Sequence, residues 1–150
     1  MRLPRCLLAI VVTAASIACT GASDVSGAIG TLARDAKRPV FRLDQATPFA
    51  WDHVVFFTPY QPRDTVCTAL KIAAKDCSRL ITVASQDDGE MTLAFLRQGV
   101  LVRYVVHTRN NGDCLPMPNA TVMARDEAVF RSIRTEIRGR KLVRASAVSQ

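Results

Sequence analysis

The chain has little of what usually announces a chemistry. Its 150 residues include one Trp and two Tyr, so there is no aromatic-rich platform on which bases could stack. There are only two histidines, His53 and His107. No GxSxG elbow, phosphate-binding loop, HExxH helix or GxGxxG turn occurs, and no CxxC pair. The uncharged, mostly apolar run Cys6 to Ala18 is 13 residues long, short of the roughly 20 that a spanning helix needs. With 49% apolar and 22% charged residues, the composition is that of a globular protein. A mostly disordered chain, a collagen-like repeat and a polytopic membrane protein are thereby excluded. The length suits one domain.

The N-terminus reads as an export signal. Arg2 and Arg5 precede the apolar run, and small residues follow it, which is the order of a secretory signal over residues 1–18. Ser16-Ile17-Ala18-Cys19 resembles a bacterial lipobox, with Ser16 where Leu is usual. Cys19 is therefore the expected lipidation site, which makes the membrane a partner through a lipid anchor. Residues 19–38, small and polar, read as a tether plus a loosely packed entry segment, with Ala28 to Ala36 a candidate weak helix. Thr20 after Cys19 resembles the sorting position of enterobacterial lipoproteins and implies the outer membrane, facing the periplasm. Cleavage after Ala22 is the competing expectation, and it yields a soluble periplasmic protein starting at Ser23.

The formal charge of +7 is unevenly placed. Residues 19–130 carry 12 basic and 12 acidic side chains, whereas residues 131–150 carry six basic ones against Glu136 alone. The basic segment fits a solvated face, or contact with anionic lipid, cell-wall material or an acidic partner. Nucleic acid is not an expected partner of an exported chain without a recognition motif.

Cys6 leaves with the signal, and Cys67, Cys77 and Cys114 remain as disulfide candidates. In an oxidising compartment two of them are expected to pair, with the connectivity open. Their spacing matches no zinc pattern, so neither a metal nor another cofactor is expected.

Periodicity gives an α+β domain over residues 39–143, with a disordered tail over 144–150. Trp51 to Tyr60 reads as a central strand buried on both faces and ended at Pro59. Thr65 to Lys75 has helical spacing after a capping Asp64, and Ser78 to Ser85 reads as a strand. Glu90 to Arg97 and Val100 to His107 alternate on either side of Gln98-Gly99, the signature of a hairpin. Ala120 to Ala124 reads as a short strand. Asp126 is a fair cap for a C-terminal helix through Ile133, and Ile137, Leu142 and Val143 fit either its continuation or another strand. The expected architecture is a small single domain, an antiparallel sheet with a helix on one face and a C-terminal helix.

Three constellations merit a chemical reading. Cys67 or Cys114 with a histidine could form a nucleophilic pair. Asp87-Asp88-Gly89-Glu90 is acidic, but it reads as a β-turn rather than a calcium loop. Trp51, Asp52 and Tyr60 are the binding candidates, since rigid amphipathic rings favour interfaces; the alternative is that Trp51 caps the core and Asp52 a turn.

The pattern met by Trp51, Asp52, Val54, Phe57, Pro59 and Tyr60 resembles the W-D-x-V-x-x-F-x-P-Y motif of small uncharacterised bacterial exported proteins and lipoproteins. The later hairpin is similar to one those proteins carry. The resemblance implies a secreted α+β domain and no activity. The sequence thus supports a non-catalytic cell-envelope lipoprotein that binds an envelope protein or a cell-wall component. The alternatives are a periplasmic inhibitor or immunity protein against an enzyme or toxin, and a small Cys-His enzyme.

Overall fold

The alternating segment at 90–108 forms the spine of the molecule. The computed structural model describes residues 24–137 and 140–148. Within it β3 (Glu90–Arg97) and β4 (Val100–Thr108) pair antiparallel about Gln98-Gly99. Both turn residues have positive φ, 51° and 76°, as a two-residue turn that follows the strand twist requires. The register shifts between Phe95 and Leu96, so that Phe95 faces Arg103 while Leu96 faces Leu101. Val102 is the extra residue of this bulge. As a result Leu101 leaves the face of Val105 and His107, on which strict alternation had placed it, and packs with Leu96 and Tyr104.

β2 (His53–Phe57) pairs with β3 on one side and with β5 (Thr121–Ala124) on the other. The antiparallel order is β4-β3-β2-β5, which makes β2 an interior strand. Its dense apolar run follows from that position, because both faces are covered. Val54 and Phe56 enter one core, and Val55 and Phe57 the other. Burying each Phe contributes on the order of 2–3 kcal/mol.

The first core lies between this sheet, α1 (Val25–Arg34) and a second antiparallel sheet of order β1-β6-β7. That sheet comprises β1 (Val40–Arg42), β6 (Val129–Ile137) and β7 (Arg140–Ala147). The second core is covered by α2 (Arg63–Ala69) and α3 (Ala74–Leu80), which the Cys67–Cys77 disulfide ties together.

An α+β domain built on antiparallel strands is what the sequence implied, but several of its parts differ. The expected C-terminal helix is strand β6. Its apolar residues fit both periods, and a polar Ser132 on the core side hides the alternation. Pairing with β1 and β7 decides in favour of strand, and Glu127 accepts the Ala124 N–H in the turn before it. The expected tail is largely the edge strand β7, which runs to Ala147.

Residues 25–34, assigned to the tether, form a helix with Val25, Ile29 and Ala33 buried. Asp24 caps it by accepting the Gly27 N–H at 2.8 Å. Its small residues serve close approach: a Cβ on Gly30 would lie 2.7 Å from the Asn111 Oδ1. The helix expected over 65–75 breaks at Leu70, where Lys71 has φ 55°, and Pro62 rather than Asp64 takes the capping position. The strand expected over 78–85 is instead the end of α3 and an extended segment, with Ile81 buried under the bridged helices. The signal, Cys19 and the first part of the tether lie outside the described residues.

Candidate functional site

The sequence-derived binding candidates do not assemble into one surface. Trp51 is 3% exposed and stacks edge-on against Phe95, and its indole N–H donates to the Thr47 hydroxyl at 2.7 Å. It is a core residue, with the Arg125 guanidinium over its ring. Asp52 holds the hairpin turn: its carboxylate accepts the Gln98 N–H at 2.6 Å and pairs with His53 at 3.0 Å. The Gln98 N–H and then His53 keep the Asp52 carboxyl below its ordinary range. Tyr60 is exposed, beyond the far end of β2, with φ 62°. Trp51 and Asp52 thus cap the core and a turn, the alternative the sequence left open.

The cysteines separate by role. Cys67 and Cys77 form the disulfide, with Cα atoms 5.8 Å apart. Cys114 is free and buried, and burial pushes its thiol up to about 12. Its Sγ points to the Gly112 carbonyl at 3.7 Å, and the His107 Nε2 meets the same oxygen at 2.9 Å. The fold therefore brings Cys114 and His107 to one acceptor and not into a thiolate–imidazolium pair. The acidic turn closes on itself, Asp87 accepting the Gly89 N–H. Among the described residues no cluster of three or more His, Cys, Asp or Glu is placed to hold a metal ion.

Sequence reasoning missed a polar network under α1. The Ser26 hydroxyl accepts from the Thr108 N–H at 3.2 Å and from the Asn111 amide at 3.1 Å. Its own proton is then left for the His107 Nδ1 at 3.0 Å, while the Nε2–H donates to Gly112. His107 is fully buried, and burial lowers its pKa more than the Gly112 carbonyl, Asp113 and Asp24 raise it. A neutral imidazole locked on both nitrogens is a structural joint. Ser26 lay in a segment read as tether, so nothing in the sequence signalled it.

The open feature is a groove of about 410 Å³ along the outer edge of β7. The Leu115–Pro118 loop forms one wall, Met123 of β5 another, and Ile133 with Arg144 to Ala147 the rest. The loop leaves the core at Cys114 and is fixed by Asp113. That carboxylate accepts from Arg109 at 2.8 Å and from the Leu115 N–H at 3.0 Å. Burial raises the Asp113 pKa, but these donors outweigh it and hold the carboxyl below its usual value. The backbone of Asp113 also bridges β7, donating to Val143 and accepting from Ala145. The groove walls are apolar apart from Thr121, Ser146 and the single cation Arg144. Two prolines flagged this loop as irregular in the sequence, but its pairing with β7 is long-range.

Comparison of the chain with protein-family models, with curated proteins and with solved structures finds no match.

Proposed function

We propose that this protein is a non-catalytic binding module of a bacterial cell envelope, exported by residues 1–18 and held on the outer membrane by an acylated Cys19. The observation that carries the binding role is the groove beside β7: concave, mostly apolar and furnished with one cation, in the size range of ligand sites. The free thiol Cys114 and the hydroxyl beside His107, Ser26, are buried and engaged in structural contacts. Such an arrangement favours recognition over turnover. Its partner is an envelope protein or a cell-wall component. Several acyl chains on Cys19 would give a lasting anchor, where one alone holds only weakly. Among the described residues no helix is long and apolar enough to cross a membrane.

The test is the intact mass of the mature protein from membrane and soluble fractions of a bacterium expressing the full chain. The expected species is membrane-bound and begins at a triacylated Cys19. A soluble species beginning at Ser23 would overturn the anchor and leave a freely diffusing protein, for which inhibition of an enzyme or toxin is the better role.

A further inference from the structure

The β1-β6-β7 sheet has one covered face and one open face. Phe41, Phe130 and Ala145 point into the first core, where α1 packs. Register fixes what the other face carries. Val40 pairs with Arg131, and Arg131 with Ser146, so these three form one row across the sheet. Ile133 and Arg144 form the next row, and Arg42 sits opposite Val129. Val40 and Ile133 are large apolar side chains left 40% and 44% exposed. The groove opens at the edge of this same face, through Ile133, Arg144 and Ser146.

The charged side chains among these positions, Arg42, Arg131 and Arg144, are all basic. No carboxylate stands at any of the positions just named. Arg42 is paired with Asp44 at the sheet margin. Arg131 and Arg144 enter no ion pair among the described residues. Asp113, which touches β7 next to Arg144, is already engaged by Arg109. The basic excess that the sequence concentrates after residue 130 is therefore brought, in part, onto one sheet face together with two exposed aliphatic side chains. Guanidinium groups offer paired donors to phosphate oxygens. Exposed aliphatics among cations suit the headgroup–acyl boundary. A protein partner would be expected to seat an anchor residue in a pocket, and the groove reaches this face only at its Ile133–Arg144–Ser146 margin, away from Val40 and Arg131.

We propose that this face docks on the surface of an anionic membrane, Arg131 and Arg144 on lipid phosphates and Val40 and Ile133 at the boundary beneath them. The proposal rests on the envelope reading only for access to such a membrane; the contact itself needs no acyl chain. It is tested with the mature protein from the full chain carrying Cys19→Ser, which has no acyl chain. Co-sedimentation is measured with phosphatidylcholine vesicles and with vesicles also containing phosphatidylglycerol.

Binding is expected to the anionic vesicles only, and to weaken between about 0.05 and 0.5 M salt. Arg131→Glu with Arg144→Glu should weaken it by well over tenfold, about fivefold being expected for each cation lost. The milder Arg131→Gln with Arg144→Gln should give an intermediate loss, and it covers the case in which the reversal does not fold. Ile133→Ser should reduce binding at low and at high salt alike. Arg97→Glu, at the end of β3, should leave binding unchanged. Equal binding to neutral vesicles, no vesicle binding, or an equal loss in Arg97→Glu would each overturn the proposal. Binding to polyglutamate without binding to vesicles would assign the face to an acidic protein instead. Failure here leaves the mass of the mature protein, and with it the anchor, unaffected.

Discussion

Ser26 and His107, 81 residues apart in the chain, meet at 3.0 Å and join the first helix to the end of strand β4. Thr108, Asn111 and Gly112 complete the joint, so every polar atom of both side chains is used. Ser26→Ala leaves a backbone N–H, an amide and an imidazole nitrogen without their partner. A loss of about 1–3 kcal/mol is expected, read as a lower urea midpoint with an unchanged m-value. Amide exchange in residues 25–34 should accelerate more than in β2 or β3, because the joint is what seats α1.

The same joint makes stability depend on pH. The His107 pKa is depressed in the folded state by burial, against an ordinary value of 6.5. The unfolded chain therefore takes up the proton first as pH falls. The stabilisation is complete above about pH 6.5 and is lost as pH drops through the folded value. Asp35, Asp52 and Asp113 are held below 3.8, so their own loss comes at lower pH. Urea midpoints measured from pH 7.5 to 4.5 should fall, and His107→Gln should flatten that slope. An unchanged slope in His107→Gln would show that another group is responsible.

The Cys67–Cys77 bridge closes a loop of ten residues in sequence separation. Chain entropy alone gives such a loop about 2.5–3 kcal/mol. Cys67→Ala with Cys77→Ala should lower the thermal midpoint accordingly. The effect should centre on α2, α3 and Ile81. The β1-β6-β7 sheet, which shares no core with them, should keep its exchange protection.

Cys114 should be inert in the folded protein. With its thiol pushed up to about 12 by burial, it offers almost no thiolate near neutrality. Iodoacetamide should label no thiol among Cys67, Cys77 and Cys114 under native conditions and one after unfolding in urea. Rapid native labelling of Cys114 would reopen thiol chemistry for this protein.

What could be read from the sequence was what depends on neighbours along the chain. The hairpin was legible because alternation and Gln98-Gly99 agree locally. β2 was legible because an interior strand needs an unbroken apolar run. Strand β6 was not, since Phe130 and Ile133 satisfy a helical spacing too, and only β1 and β7 decide between the two. α1 was legible only as a weak helix over 28–36, and its start and its packing were not: Gly27 and Gly30 look like linker residues until Asn111 is seen pressed against the helix. Among the site residues, the burial of Trp51 was one of the alternatives considered. The groove depends on Asp113 bridging to β7, a contact that no local pattern encodes.

α1 is a wall of the main core, and its first residues are among those sealed inside. A pull applied at Asp24 would bear directly on Val25, Ser26 and Ile29, all of them buried. Shear along this helix is resisted by the joint to His107 and by Arg134, which donates to the Arg34 carbonyl at the other end. Traction arriving at Asp24 is therefore passed into the packed interior through residues 24–34 rather than into a surface loop.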